Sequence, residues 1–151
     1  MATRSNIRLT GARGNTLWLY RHWDGYPAVN GAAICRAIKK LRRSAYYQHL
    51  PLFAPLANDL LAERYDPTEH RPKPQPVYEV TDHQHGDIEW LYDIRCKGKS
   101  SAITVTEFNL RSGDVSHGTM NEKEFRSFVA KELVEMRKRI KAYRAKNRTA
   151  A

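Results

Sequence analysis

The chain has 151 residues and a formal net charge of +10, with 41% hydrophobic and 28% charged residues. That length supports one domain with its own core and is short for two, and the balance is that of a folded protein rather than a disordered one. The longest apolar runs are a few residues, too short for a bilayer-spanning helix, and the opening MATRSNIRLTG lacks the apolar core of a signal peptide, so a cytoplasmic protein with no membrane partner is expected.

The first element, SNIRLTGARGNTLWLYRHWD, reads as a β-hairpin. Ile7 and Leu9 alternate with polar residues, Gly11 to Asn15 supply turn chemistry, and Thr16 to Tyr20 is β-rich. From Pro27 or Asn30 the period changes: Ile34, Ile38, Leu41 and Ala45 predict an amphipathic helix over about residues 28 to 48, broken by Pro51. APLANDLLAERYD predicts a shorter helix with Pro55 in its first turn and Leu56, Leu60 and Leu61 inward. DPTEHRPKPQP, residues 66–76, holds four prolines and is expected to be an extended connection.

VYEVTD, IEWLYDIRC and SAITVTEFNL then read as three strands of an antiparallel meander, with KGKS and RSGD as turns. Asn121 and Glu124 offer a helix cap with its capping-box partner. Phe125, Phe128, Val129, Leu133, Met136, Ile140 and Tyr143 follow at spacings of three and four, predicting a long helix to near Asn147 with a frayed basic tail from about residue 145. The expected architecture is a single α+β domain over residues 1–151. Its antiparallel sheet, the N-terminal hairpin plus the three-strand meander, is packed by two central helices and the long C-terminal one.

Charge is concentrated in two places. RAIKKLRR carries Arg36, Lys39, Lys40, Arg42 and Arg43 without an acid, and residues 131–151 carry Lys131, Arg137, Lys138, Arg139, Lys141, Arg144, Lys146 and Arg148 against Glu132 and Glu135. The rest of the chain is close to neutral. Such concentration is the footprint of a polyanion partner, nucleic acid or a nucleoprotein, with Arg36, Lys39, Lys40, Arg42, Arg43, Arg137, Lys141 and Arg144 as the candidate contacts. The plainer alternative is a pair of solvated helix faces. The apolar stripe of the C-terminal helix belongs either to the core or to a partner helix, which leaves a homo-oligomer open.

LYRHWDGYPAVNG, residues 19–31, ends a strand in polar residues before an Asp-Gly turn and a helix start. In an extended strand Trp18, Tyr20, His22 and Asp24 share one face, while Leu17, Leu19, Arg21 and Trp23 share the other. A helix start favours an anion, Arg21 or His22 suits a phosphate or carboxylate, and Trp18 or Tyr20 can stack on a base. Trp18, Tyr20, Arg21, His22 and Asp24 are therefore candidate ligand residues, possible partners including a nucleotide. A structural corner is the alternative, with Asp24 capping the turn and His22 bonded internally.

The stretch YRHWDGYP resembles a Tyr-Arg-His-x-Asp-Gly-Tyr-Pro signature of short proteins carried by phages and integrated mobile elements, over about residues 16–31. The resemblance implies a setting and no biochemical activity. In that setting small basic proteins bind nucleic acid or interfere with host nucleoprotein machines, so an anti-defence role in the host cytoplasm is expected.

DHQHGD, residues 82–87, resembles the His-x-His-x-Asp-His element of metallo-hydrolases, but Ile88 stands in the last position and no downstream partners match. His83, His85 and Asp87 would share a strand face, yet a metal site needs three or four ligands with support behind them, and these residues equally make a polar turn. GKSS, residues 98–101, lacks the glycine five positions earlier that a phosphate-binding loop requires, Asp93 standing there. Cys35 and Cys96 form neither a disulfide framework nor a zinc motif. No cofactor and no catalytic residues are expected. The leading expectation is a non-enzymatic binding protein, with a small-anion module at residues 18–31 and a metal-dependent hydrolase at 83–87 as alternatives.

Overall fold

A six-stranded sheet in the order β5-β2-β1-β6-β7-β8 carries the helices on one face in the computed structural model, which describes residues 3–70, 72–109 and 111–149. The hairpin forms as expected from β1 (Ser5–Thr10) and β2 (Thr16–Arg21), antiparallel with Ile7 opposite Leu19. A π-helical turn, Pro27–Gly31, leads into helix α1 (Ala32–Arg43), and α2 (Phe53–Leu61) follows. Helix α1 stops five residues short of the expected end. In the turn after Leu41 the chain offers nothing to bury, since Ala45 and Tyr46 are exposed, and an amphipathic helix persists only while its apolar face is packed.

The proline-rich segment doubles back instead of running extended as expected: β3 (Arg64–Tyr65) and β4 (Gln75–Pro76) pair antiparallel at its two ends, with a turn at residues 69–70, since proline excludes a helix but not a turn. Its far end delivers β5 (Glu79–Thr81) to the outer edge of the hairpin, where Tyr20 faces Glu79 and Trp18 faces Thr81. The expected meander is thus corrected. VYEVTD does not pair with IEWLYDIRC; the meander is β6 (Trp90–Lys97), β7 (Ser100–Glu107) and β8 (Val115–Met120). Strand β8, VSHGTM, was not anticipated because it shows no apolar alternation and contains Gly118 at φ 81° beside a register shift in β7. Strand β6 also runs parallel to β1, so the sheet is mixed although largely antiparallel. The end of SAITVTEFNL at Leu110 lies outside the described residues.

Fully buried Ile7, Leu9, Leu19, Tyr92, Ile94, Ile103 and Val105 form the sheet's contribution to the core, met by Ile34, Leu56, Leu60 and Phe125 from the helices. Helix α3 (Glu122–Thr149) opens with the expected capping box: the Glu124 amide donates to Asn121 Oδ1 at 2.9 Å and the Asn121 amide to Glu124 Oε2 at 2.8 Å. It packs where the π-helical turn has no side chain, since a Cβ on Gly31 would lie 2.7 Å from Val129 Cγ2.

The predicted apolar stripe of α3 divides there. Phe125 and Val129 are buried, Phe128, Leu133 and Met136 are half-buried, and Ile140 and Tyr143 are exposed at 42% and 68%. Every residue from Arg137 to Arg148 is exposed, so the second half of α3 projects from the body. In the described part the helix continues to Thr149, through the start of the basic tail expected from about residue 145; the last two residues lie outside the described ones.

Candidate functional site

The corner at residues 18–31 separates Arg21 from the other candidate ligand residues. Arg21 lies on the core side and is 5% exposed. Its Nε donates to the Trp23 carbonyl at 2.6 Å, its Nη1 lies 3.4 Å from both Asn30 Oδ1 and the Tyr78 hydroxyl, and its guanidinium rests 5.7 and 5.6 Å from the ring centres of Tyr65 and Tyr78. Tyr78 in turn donates to Asn30 Oδ1 at 2.6 Å, and burial pushes its phenol up to about 12 while Arg21 pulls the other way. These contacts turn the arginine inward, away from any external ligand.

Asp24 holds a left-handed backbone at φ 56° and accepts from the Tyr26 hydroxyl at 3.4 Å rather than from the backbone amides expected of a cap. Gly25 follows because the turn presses on β1. A Cβ there would lie 2.7 Å from the Arg4 carbonyl carbon and 2.8 Å from the Ser5 nitrogen, while its amide donates to Thr3 O at 2.8 Å and its carbonyl accepts from the Tyr92 hydroxyl at 2.8 Å. The Val29 and Asn30 amides both donate to the Tyr26 carbonyl, which takes up part of the anion-binding capacity of the helix start. The geometry is that of a structural corner.

Trp18, Tyr20 and His22 do share the opposite face, which no helix covers. Tyr20 is nonetheless only 2% exposed, because the loop carrying His83, His85 and Asp87 folds over it. His85 stacks on Tyr20 at 3.9 Å, His83 stacks on His85 at 5.3 Å, and His22 meets Tyr20 edge-on at 4.6 Å. Asp87 accepts from Tyr20 at 3.2 Å and pairs with Arg4 at 3.3 Å; burial foremost, then Asp87, raises the Tyr20 phenol. His22 bonds Glu79 at 2.9 Å, His83 bonds Asp82, and the His85 amide donates to Asn6 Oδ1 at 2.8 Å. His83, His85 and Asp87, the residues of the metal-hydrolase alternative, sit in a loop, not a strand, and are engaged in stacking and pairing. Among the described residues no group of three or more His, Cys, Asp or Glu is arranged to hold a metal ion.

Farther along the same face, Trp18 lies beneath Arg8, whose guanidinium is 5.4 Å from the ring centre and is paired with Asp93. Arg8, Thr10, Thr16, Trp18 and Arg95 line an open depression there. Sequence reasoning missed Arg8, Asp93 and Arg95 because the parallel β1–β6 pairing that assembles them is a long-range event.

The basic helix α1 is less free than its composition suggests. Arg42 pairs with Glu122 and donates to the Lys99 carbonyl, Lys40 pairs with Asp59, and Arg36 approaches Glu63 at 3.8 Å. Lys39 and Arg43 have no carboxylate partner among the described residues. They meet α3 at a cleft of about 350 Å³ lined by Cys35, Ile38, Lys39, Arg42, Arg43, Glu122, Phe125 and Arg126. Burial pushes the Cys35 thiol up to about 11, with Arg126 and Arg36 opposing. At neutral pH the thiol is therefore protonated and a poor nucleophile.

From Arg126 a basic stripe continues along α3. At about 100° per residue, Arg126, Arg137, Lys141, Arg144 and Arg148 fall within about 60° of one another around the axis. None of the five pairs with a carboxylate among the described residues; on α3 the Lys138–Glu135 pair at 2.8 Å stands apart from the stripe. Arg126 was missed in the sequence because it lies in a stretch balanced by Glu122, Glu124 and Glu132, and only the helix places it in line with the later cations. No protein-family model, curated protein or solved structure matches this chain.

Proposed function

We propose that this protein binds nucleic acid through a basic band that starts at Lys39, Arg43 and Arg126 around the α1–α3 cleft and runs along α3 through Arg137, Lys141 and Arg144. The observation that carries the reading is the projecting half of α3, where residues 137–148 are all exposed and include seven Lys or Arg and no acid. A solvated helix stabilises itself with alternating charges; one carrying a single sign repels itself and is favoured when an anion covers it. The setting is the one the YRHWDGYP resemblance implies, a phage or mobile element, where the bound nucleic acid is free or part of a host nucleoprotein. Among the described residues no helix is long and apolar enough to cross a membrane.

Fluorescence anisotropy with labelled oligonucleotides across a salt series tests this reading. Wild-type affinity falls steeply with salt, and Arg126→Glu, Arg137→Glu, Lys141→Glu and Arg144→Glu together remove most of it. Each lost phosphate contact lowers the slope of log K against log salt by about 1. These side chains are solvent-exposed, so circular dichroism stays unchanged. Absence of wild-type binding at low salt, or a slope that the reversals leave intact, overturns the proposal.

A further inference from the structure

Resting on that nucleic-acid reading, we infer that the projecting half of α3 is a groove-lying helix and that its ligand is double-stranded, B-form DNA. The argument is the distribution of cations around the axis. Measured from the core-facing line through Val129, Arg137, Lys141, Arg144 and Arg148 sit about 60–120° to one side, and Arg139 and Lys146 about 80–100° to the other. The two rails flank a back face of Lys138, Ala142 and Ala145, turned away from the line that Phe125 and Val129 bury in the body.

A single flat anionic surface calls for one rail. Two rails on opposite flanks fit a ligand that presents phosphates on both sides of the helix. Duplex DNA does so: its major groove is about 12 Å wide and admits a helix about 10–12 Å across, with a phosphate backbone at each edge. The A-form RNA duplex has a major groove too narrow to admit one, and a single strand offers one backbone. At about 1.5 Å per residue, residues 137–148 extend about 18 Å, which spans about 5 base pairs. Every residue of that segment is exposed, and among the described residues the body reaches only its first turn, where Arg139 and Ile140 line a depression with Tyr26, Glu89 and Glu107. Mutual repulsion of two such helices disfavours a second copy as the occupant, although Ile140 and Tyr143 continue the apolar stripe.

The experiment measures full-length protein binding to a 16-base-pair DNA duplex, the RNA duplex of the same sequence, one DNA strand alone, and vesicles of phosphatidylserine and phosphatidylcholine. Two variants carry one reversed rail each: Arg137→Glu with Lys141→Glu and Arg144→Glu, and Arg139→Glu with Lys146→Glu. The expected result is that duplex DNA binds roughly tenfold or more tightly than the other three, and that each rail variant separately loses roughly tenfold or more, with helicity unchanged. Equal binding to DNA duplex, RNA duplex and single strand, or loss from one rail alone, overturns the groove geometry and leaves the nucleic-acid reading standing. Tighter binding to vesicles than to any oligonucleotide, or no oligonucleotide binding at low salt, overturns both.

Discussion

Replacing Arg21 by alanine separates a structural corner from a ligand site. The guanidinium is buried without a carboxylate partner among the described residues, held by the Trp23 carbonyl at 2.6 Å, by Asn30 and Tyr78 at 3.4 Å, and over the rings of Tyr65 and Tyr78. The short charge-assisted bond contributes about 1.5–3 kcal/mol, and each desolvated cation–ring contact about 0.5–2 kcal/mol. The buried stem adds about 0.8 kcal/mol per methylene. Against these stands the cost of burying an unpaired charge, which truncation relieves. The net loss is about 3 kcal/mol, equivalent to a fall in Tm of roughly 6–12 °C for a domain of this size.

Urea unfolding at pH 7 with a parallel thermal melt reads this loss. Arg21→Lys keeps the charge but not the planar fork that reaches Trp23 and Asn30 together, so it recovers less than half. A loss below about 0.5 kcal/mol for Arg21→Ala, the scale of a surface substitution, refutes the corner and returns Arg21 to the candidate ligand residues.

Two further outcomes follow from the same region. Gly25→Ala drives a Cβ to within 2.8 Å of the β1 backbone at Arg4 and Ser5, and since backbone cannot swing aside, the variant loses about 1–3 kcal/mol; a chemical melt that matches wild type sinks that reading. The Tyr78 phenol, ordinarily near 10, keeps its proton to about 12 in the folded chain. Its contribution is complete below pH 10 and lost as pH rises towards 12, about 2–3 kcal/mol in all. Tyr78→Phe flattens that decline in denaturant midpoints measured from pH 9 to 12, and an unchanged decline refutes the assignment.

The elements whose evidence is local were legible in the sequence. The hairpin, the start of α1, α2 with Pro55 in its first turn, and the Asn121–Glu124 capping box all depend on turn chemistry, caps and apolar period within about a dozen residues. The two concentrations of positive charge were equally plain, because charge is a property of composition. Position within the sheet was not legible. Strand β5 joins β2 instead of β6, and β8 carries no alternation that marks it as a strand.

The corner shows the division most clearly. The sequence determined that Leu19 and Arg21 share a face of β2 and that Trp18, Tyr20 and His22 share the other, since side chains alternate in any strand. It could not say that Tyr78, arriving 57 residues later, would close over Arg21, or that His85 would cover Tyr20. Likewise, the spacing of Ile140 and Tyr143 continues the core stripe, and only the tertiary structure shows that the body thins out there and leaves that half of α3 exposed. Periodicity fixes which direction a side chain faces relative to its neighbours; what stands in that direction depends on long-range packing, which places burial at Arg21 and solvent at Tyr143.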